Sequence, residues 1–172
     1  MMDSNGDRPS AKARRRTGTQ IHEWQKGEYL VTTEQRQLDL DALHRFLAQK
    51  SYWARRIPRS VFERSLKNSL CFGLFQGKKQ IGFARCVSDF ATVAYLSDVF
   101  VLPQYRGRGL AKWLIHCVTS HPELRNLRRW ILVTRDAHSL YRKHGFSQLA
   151  HPESFMEIHN PEVYRNPNAK RA

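Results

Sequence analysis

A chain of 172 residues, 41% of them hydrophobic, suits one domain with its own core, and a formal net charge of +14 calls for an acidic partner: nucleic acid, a membrane surface, a phosphorylated cofactor or an acidic protein. No apolar run approaches the roughly 20 residues needed to cross a bilayer, and the charged start lacks the apolar stretch of a secretory signal. Cys71, Cys86 and Cys117 form no CxxC pair and the histidines show no HExxH spacing, so the expectation is a metal-free protein of a reducing cytoplasm, without structural disulfides.

Residues 1–24 read as a basic tail, with Arg8, Lys12, Arg14, Arg15 and Arg16 against Asp3 and Asp7. Such a run is either a solvated, disordered tail or a binding arm. Residues 25–164 read as the folded domain and 165–172 as a second loose tail.

Glu28–Thr33 is a β-branched run and predicts the first strand. Asp39 is placed to cap a helix, with Leu38 and Leu43 as a hydrophobic staple and Leu40, Leu43 and Leu47 at helical spacing. Ser60 and Glu63 form an S-x-x-E capping box after Pro58 and predict a second helix near Ser60–Asn68. Between these helices lies Ser51–Pro58, SYWARRIP.

Leu70–Gln76 and Lys79–Val87, joined at Gly77-Lys78, predict a hairpin, and Thr92–Val101 adds a third antiparallel strand. That third run is apolar at both parities, which predicts a central strand covered on both faces. Leu110, Trp113, Leu114, Cys117 and Val118 mark an amphipathic helix. Arg129–Thr134 predicts a short buried strand, parallel to the third through a right-handed crossover. Asp136 can cap a short helix that carries Ala137, Leu140 and Tyr141 and ends at Gly145. One or two last strands follow, including Ser154–Ile158. The fold class is α+β: one mixed sheet, an antiparallel meander joined to a parallel strand–helix–strand crossover, with helices on both faces.

The stretch VFVLPQYRGRGLAKWL, Val99–Leu114, concentrates charge and glycine at a helix mouth. Unpaired N–H groups and a partial positive charge sit there. Gly107 and Gly109 let an anion approach the backbone, and Arg106 and Arg108 add forked donors. The pattern is a phosphate cradle, though neither a P-loop nor G-x-G-x-x-G, since Lys112 stands at the third glycine position.

Arg106-x-x-Gly109-x-Ala111 resembles the Q/R-x-x-G-x-G/A signature of the GNAT superfamily of acyl-CoA N-acyltransferases. Asp98–Pro103 looks like that family's fourth strand, and Ala137–Phe146 is similar to its A-x-x-L-Y-x-x-x-G-F segment. The resemblance covers about Tyr29 to Ile158. It implies acetyl-CoA as co-substrate, with Arg106, Gly107, Arg108, Gly109, Leu110 and Ala111 at its pyrophosphate. The backbone of Val99, Phe100 and Val101 would lie along its pantetheine arm. Thr134 stands where the family often has an asparagine that meets the cofactor. Tyr141 is implied as the acid for the leaving thiolate.

Other positions keep two readings each. Asp98 is a base, directly or through water, or a structural carboxylate paired with Arg85. Tyr95 is an alternative for positioning water. Tyr52, Trp53 and Arg55, with Arg56, either bind an acceptor with a flat or carboxylate-bearing part or plug the core edge and face solvent. Cys117 reads as core, and His138 and His144 as solvated neighbours of Tyr141. For the whole chain two functions compete. One is an N-acetyltransferase acting on a primary amine, free or RNA-linked. The other is a basic nucleic-acid-binding protein, which lacks a recognised binding signature here. The acceptor and the oligomeric state are not legible.

Overall fold

The computed structural model describes residues 20–165; the tail expectations for 1–19 and 166–172 lie outside them. Six strands form one sheet in chain order: β1 Glu23–Lys26, β2 Tyr29–Thr32, β3 Leu70–Gln76, β4 Lys79–Ser88, β5 Val93–Val101 and β6 Arg129–Leu132. The first five are antiparallel neighbours, and β6 runs parallel to β5. The α+β mixed sheet therefore stands as expected. β1 was not anticipated, because EWQK has a single large apolar side chain; Glu23 and Trp24 belong to the sheet, pairing with Thr32 and Val31.

Among the described residues four α-helices flank the sheet: α1 Leu40–Lys50, α2 Arg59–Lys67, α3 Leu110–Thr119 and α4 His138–Arg142. Two apolar layers sandwich the sheet. One joins α1 and α2 to it through Leu43, Leu47, Phe62, Leu66, Phe83 and Phe100. The other joins α3 through Leu110, Leu114, Cys117 and Val118 to Phe72, Leu74, Ala84 and Leu96. β3 is buried on both faces along nearly its whole length, as a continuous apolar run requires.

The caps divide. Asp39 accepts from the Ala42 N–H at 2.9 Å, as a helix N-cap should. The Ser60–Glu63 box does not form. α2 starts one residue earlier, behind Pro58, and Glu63 is held by the Arg59 Nε at 2.6 Å. A charged donor on the same helix outcompetes a neutral backbone N–H. Asp136 does not cap α4 either: Thr134 Oγ1 takes the Ala137 N–H at 3.1 Å.

Three strand expectations change. β5 is not covered on both faces, since the layer under α1 and α2 stops short of Tyr95, which is 39% exposed. β6 is a half-buried border strand, with Val133 just beyond it open to solvent. No strand follows β6 among the described residues. Ser154 ends a 3-10 turn, and Met156 and Ile158 are almost fully exposed.

The feature that shapes the site is a bulge in β5. Arg85 pairs with Ser97 and Phe83 with Phe100, so two residues of β4 span three of β5. Asp98 sits there with φ of 53°, the left-handed region that a non-glycine residue rarely enters. Simple alternation places Leu96, Asp98 and Phe100 on one face. The bulge breaks it: Leu96 and Val101 pack in the α3 layer and Phe100 in the opposite one, stacked on Phe46 at 3.8 Å.

Candidate active site

β5 and β6 pair only from Val93↔Arg129 to Leu96↔Leu132. From Ser97 to Val101 the edge of β5 that faced β6 has no strand partner, and the two strands part. A cleft of about 600 Å³ opens at this fork. Its walls come from the α1–α2 loop (Tyr52, Trp53), from β5 (Tyr95, Leu96, Ser97, Asp98, Val99), from Val133–Ala137 after β6, from Tyr141 on α4, and from Glu157, His159 and Pro161.

Beyond the bulge β5 runs through a 3-10 turn, Pro103–Tyr105, into α3. Gly107 and Gly109 have φ of 77° and 74°, with no atom within 4 Å of the place where a side chain would start. Gly109 is the N-cap of α3, and no side chain caps the helix. The first intrahelical bond is made by the Trp113 N–H to the Gly109 carbonyl, so the N–H groups of Leu110, Ala111 and Lys112 lie ahead of the helical ladder. Arg106 reaches back, its Nε donating to the Val101 carbonyl at 3.0 Å. Arg108 lies over the Tyr105 ring at 5.5 Å and donates to the Tyr29 hydroxyl at 3.4 Å. The start of α3 is thus a bare, positively charged backbone surface, which fits a phosphate group.

Asp98 is the hub between the cleft and the sheet. Its Oδ2 accepts from Arg85 Nε at 2.6 Å and its Oδ1 from Trp53 Nε1 at 3.0 Å. Arg85 extends the network, donating to the hydroxyls of Ser69 and Ser97. The pairing with Arg85 is the structural one of the two readings of Asp98, and Trp53 is held by a polar contact rather than plugging the core edge. Tyr52 is fixed by Arg135: the backbone N–H donates to the phenol oxygen at 3.1 Å, and the guanidinium lies 4.0 Å over the ring. Arg55 and Arg56 do not line the cleft, because the loop turns inward at Ala54 and Ile57 and leaves both arginines exposed.

Tyr141 lines the cleft and packs against Phe146. Burial, then the charges of Tyr52 and Asp136, push its phenol up to about 12, so it stays protonated at neutral pH. Thr134 lines the same wall, with its oxygen on the Ala137 N–H. Val99 is half-buried and Val101 buried, both against the α3 layer. All three cysteines are buried with thiols pushed up to about 12 by desolvation, which leaves Cys117 in the core. Among the described residues no group of histidine, cysteine or carboxylate side chains is arranged to hold a metal ion, and no helix is long and apolar enough to cross a membrane.

Residues 67–148 match the model of the acetyltransferase (GNAT) domain. A GNAT-family structure from Xanthomonas campestris pv. campestris is 44% identical, with a TM-score of 0.76, over 85% of this chain and 97% of that one. The chain belongs to the GNAT family of acetyltransferases. A Gibberella zeae protein that carries an acetyltransferase name is 29% identical over 73% of this chain and 82% of its own. A Prochlorococcus marinus protein named as an N-acetyltransferase is 36% identical over 59% of this chain and 58% of its own. The matched segment, 67–148, contains the GNAT-like glycine turn, the bulged strand and Tyr141. Tyr52, Trp53, Glu157 and His159 lie outside it, so part of the wall of this cleft is built from the flanks. Arg135, Glu157 and His159 join the cleft without any motif in the sequence that marks them. Only their place after the sheet, in a GNAT-like order, points toward them.

Proposed function

We propose that this chain moves an acetyl group from acetyl-CoA directly onto a primary amine, with Tyr141 as general acid. The observation that carries the reading is a protonated phenol in the wall of a cleft that opens where β5 and β6 part. The same strand, β5, leads into the bare start of α3. The N–H groups there, flanked by Gly107 and Gly109 and by Arg106 and Arg108, suit the pyrophosphate. The unpaired edge of Val99, Phe100 and Val101 suits an amide-bearing arm laid alongside as an added strand.

Acetyl-CoA supplies the activated thioester. The residues of the chain orient it and manage protons. The amine nitrogen forms a bond to the acetyl carbon as the carbon–sulfur bond breaks. Sulfur leaves with the electron pair and takes the Tyr141 proton, which the phenol regains from water. The nitrogen loses its extra proton to water in the open cleft. Asp98 acts here as a positioning residue. Both of its oxygens are committed, one to Arg85 and one to Trp53, so it holds the acceptor wall against the bulge.

The test is thiol release from acetyl-CoA in the presence of a panel of amines. Amine-dependent release supports the reading. Salt-sensitive affinity for nucleic acid without any thiol release replaces it with the nucleic-acid-binding one.

A further inference from the structure

The charge of the cleft does not follow the charge of the chain. In a protein of net charge +14, the cleft is lined by three carboxylates, Asp98, Asp136 and Glu157, against one guanidinium, Arg135, and one imidazole, His159. Asp98 is paired with Arg85 and Arg135 is stacked on Tyr52. Asp136 and Glu157 make no hydrogen bond or ion pair with another described residue. They act on different tyrosines. The charge of Asp136 acts on Tyr141, and that of Glu157 acts on Tyr95.

Three large aromatic side chains border the same space in the open: Tyr52 at 44%, Trp53 at 41% and Tyr95 at 39% exposure. An aromatic face beside an uncommitted carboxylate is what a desolvated ammonium group prefers. The segment after the 3-10 turn Pro152–Ser154 supplies the carboxylate by simple alternation. Glu157 and His159 line the cleft while Met156 and Ile158 face solvent. Arg55 and Arg56, the two cations that could have met a carboxylate on the acceptor, are outside the cleft.

We infer that the acceptor is an aliphatic diamine. One amine, neutral when it attacks, lies at Tyr141. The other stays an ammonium group against Tyr95, beside Glu157. This rests on the acetyltransferase reading above. The second nitrogen takes no part in the bond changes: nitrogen–carbon forms and carbon–sulfur breaks at the first nitrogen only, and Glu157 contributes binding alone.

The experiment compares three acceptors of one chain length: diaminobutane, butylamine and ω-aminobutanoate. kcat/KM with acetyl-CoA is measured for each, and thermal shift by acetyl-CoA is followed in parallel. Diaminobutane should exceed butylamine by about tenfold, with aminobutanoate lowest, from one ion pair reinforced by aromatic faces. Glu157→Gln, at an exposed position, should narrow that preference to about twofold, because it removes the charge and keeps the shape. Butylamine or aminobutanoate equal to the diamine, or a preference that survives Glu157→Gln, overturns the inference and leaves the acetyltransferase reading standing. A thermal shift with no turnover of any of the three also overturns it. No shift and no turnover overturns both.

Discussion

Arg85 Nε meets Asp98 Oδ2 at 2.6 Å across β4 and β5, with side chains only 16% and 9% exposed. A carboxylate so enclosed is stabilised by its partner, and removing the charge leaves Arg85 without one. Asp98→Asn should lower stability by about 2–3 kcal/mol in urea denaturation. Turnover should fall with it through loss of Trp53 placement, with the pH–rate profile unmoved. A shifted acidic limb in that profile would instead restore Asp98 as the base.

Trp53→Phe tests the other half of this contact. It deletes the indole N–H that donates to Asp98 and keeps most of the ring. The KM for the amine should rise about fivefold, because the ring loses the bond that orients it, while the KM for acetyl-CoA stays put.

Gly109 has φ of 74° and open space where a side chain would start. Gly109→Val should abolish the thermal shift produced by acetyl-CoA, because a branched side chain blocks the approach of phosphate to the backbone. Gly77 provides the control. Its φ of 56° and open surroundings impose similar backbone strain in the β3–β4 turn. Gly77→Val should lower the melting temperature yet keep the shift.

Tyr141→Phe retains the ring and deletes the proton. Turnover should fall by about 10²-fold with little change in acetyl-CoA affinity. With the phenol held near 12, the native enzyme should show no alkaline limb from Tyr141 at ordinary assay pH. Unchanged turnover in the variant would leave this side chain as packing against Phe146.

His121 is fully buried, and desolvation, then the nearby His22, lowers it to about 4 from an ordinary 6.5. The unfolded chain takes up a proton in that interval which the folded chain refuses. Stability is therefore full above 6.5 and declines as the pH falls toward 4, with a slope approaching about 1.4 kcal/mol per pH unit. His121→Asn offers an oxygen in place of the ring nitrogen that accepts the Glu123 N–H. Its stability should be flatter over the same range in melting curves taken at successive pH values.

What could be read from the chain follows from how local each feature is. The glycine turn and the segment around Tyr141 are set by residues a few places apart, so spacing alone exposes them. Asp39 capped as expected because its partner is three residues away. Ser60 failed because the start of α2 is decided by Pro58 and by Arg59 reaching Glu63. The bulge at Asp98 belongs to the pairing of β4 with β5, and β5 carries no sign of it on its own. Glu157 was hidden for a related reason. Nothing in SFMEI tells which alternate side chains meet a cleft built by residues spread from Tyr52 to Tyr141.

The bulge in β5 adds one residue of length without moving any core side chain to the wrong layer. With Ser97, Asp98 or Val99 deleted, strict alternation would put Leu96 and Val101 on one face and Phe100 on the other, the layers they already occupy. What such a deletion removes or displaces is the carboxylate held between Arg85 and Trp53. A scan of single-residue deletions along the sheet should find here the stretch where the fold survives best while turnover is lost.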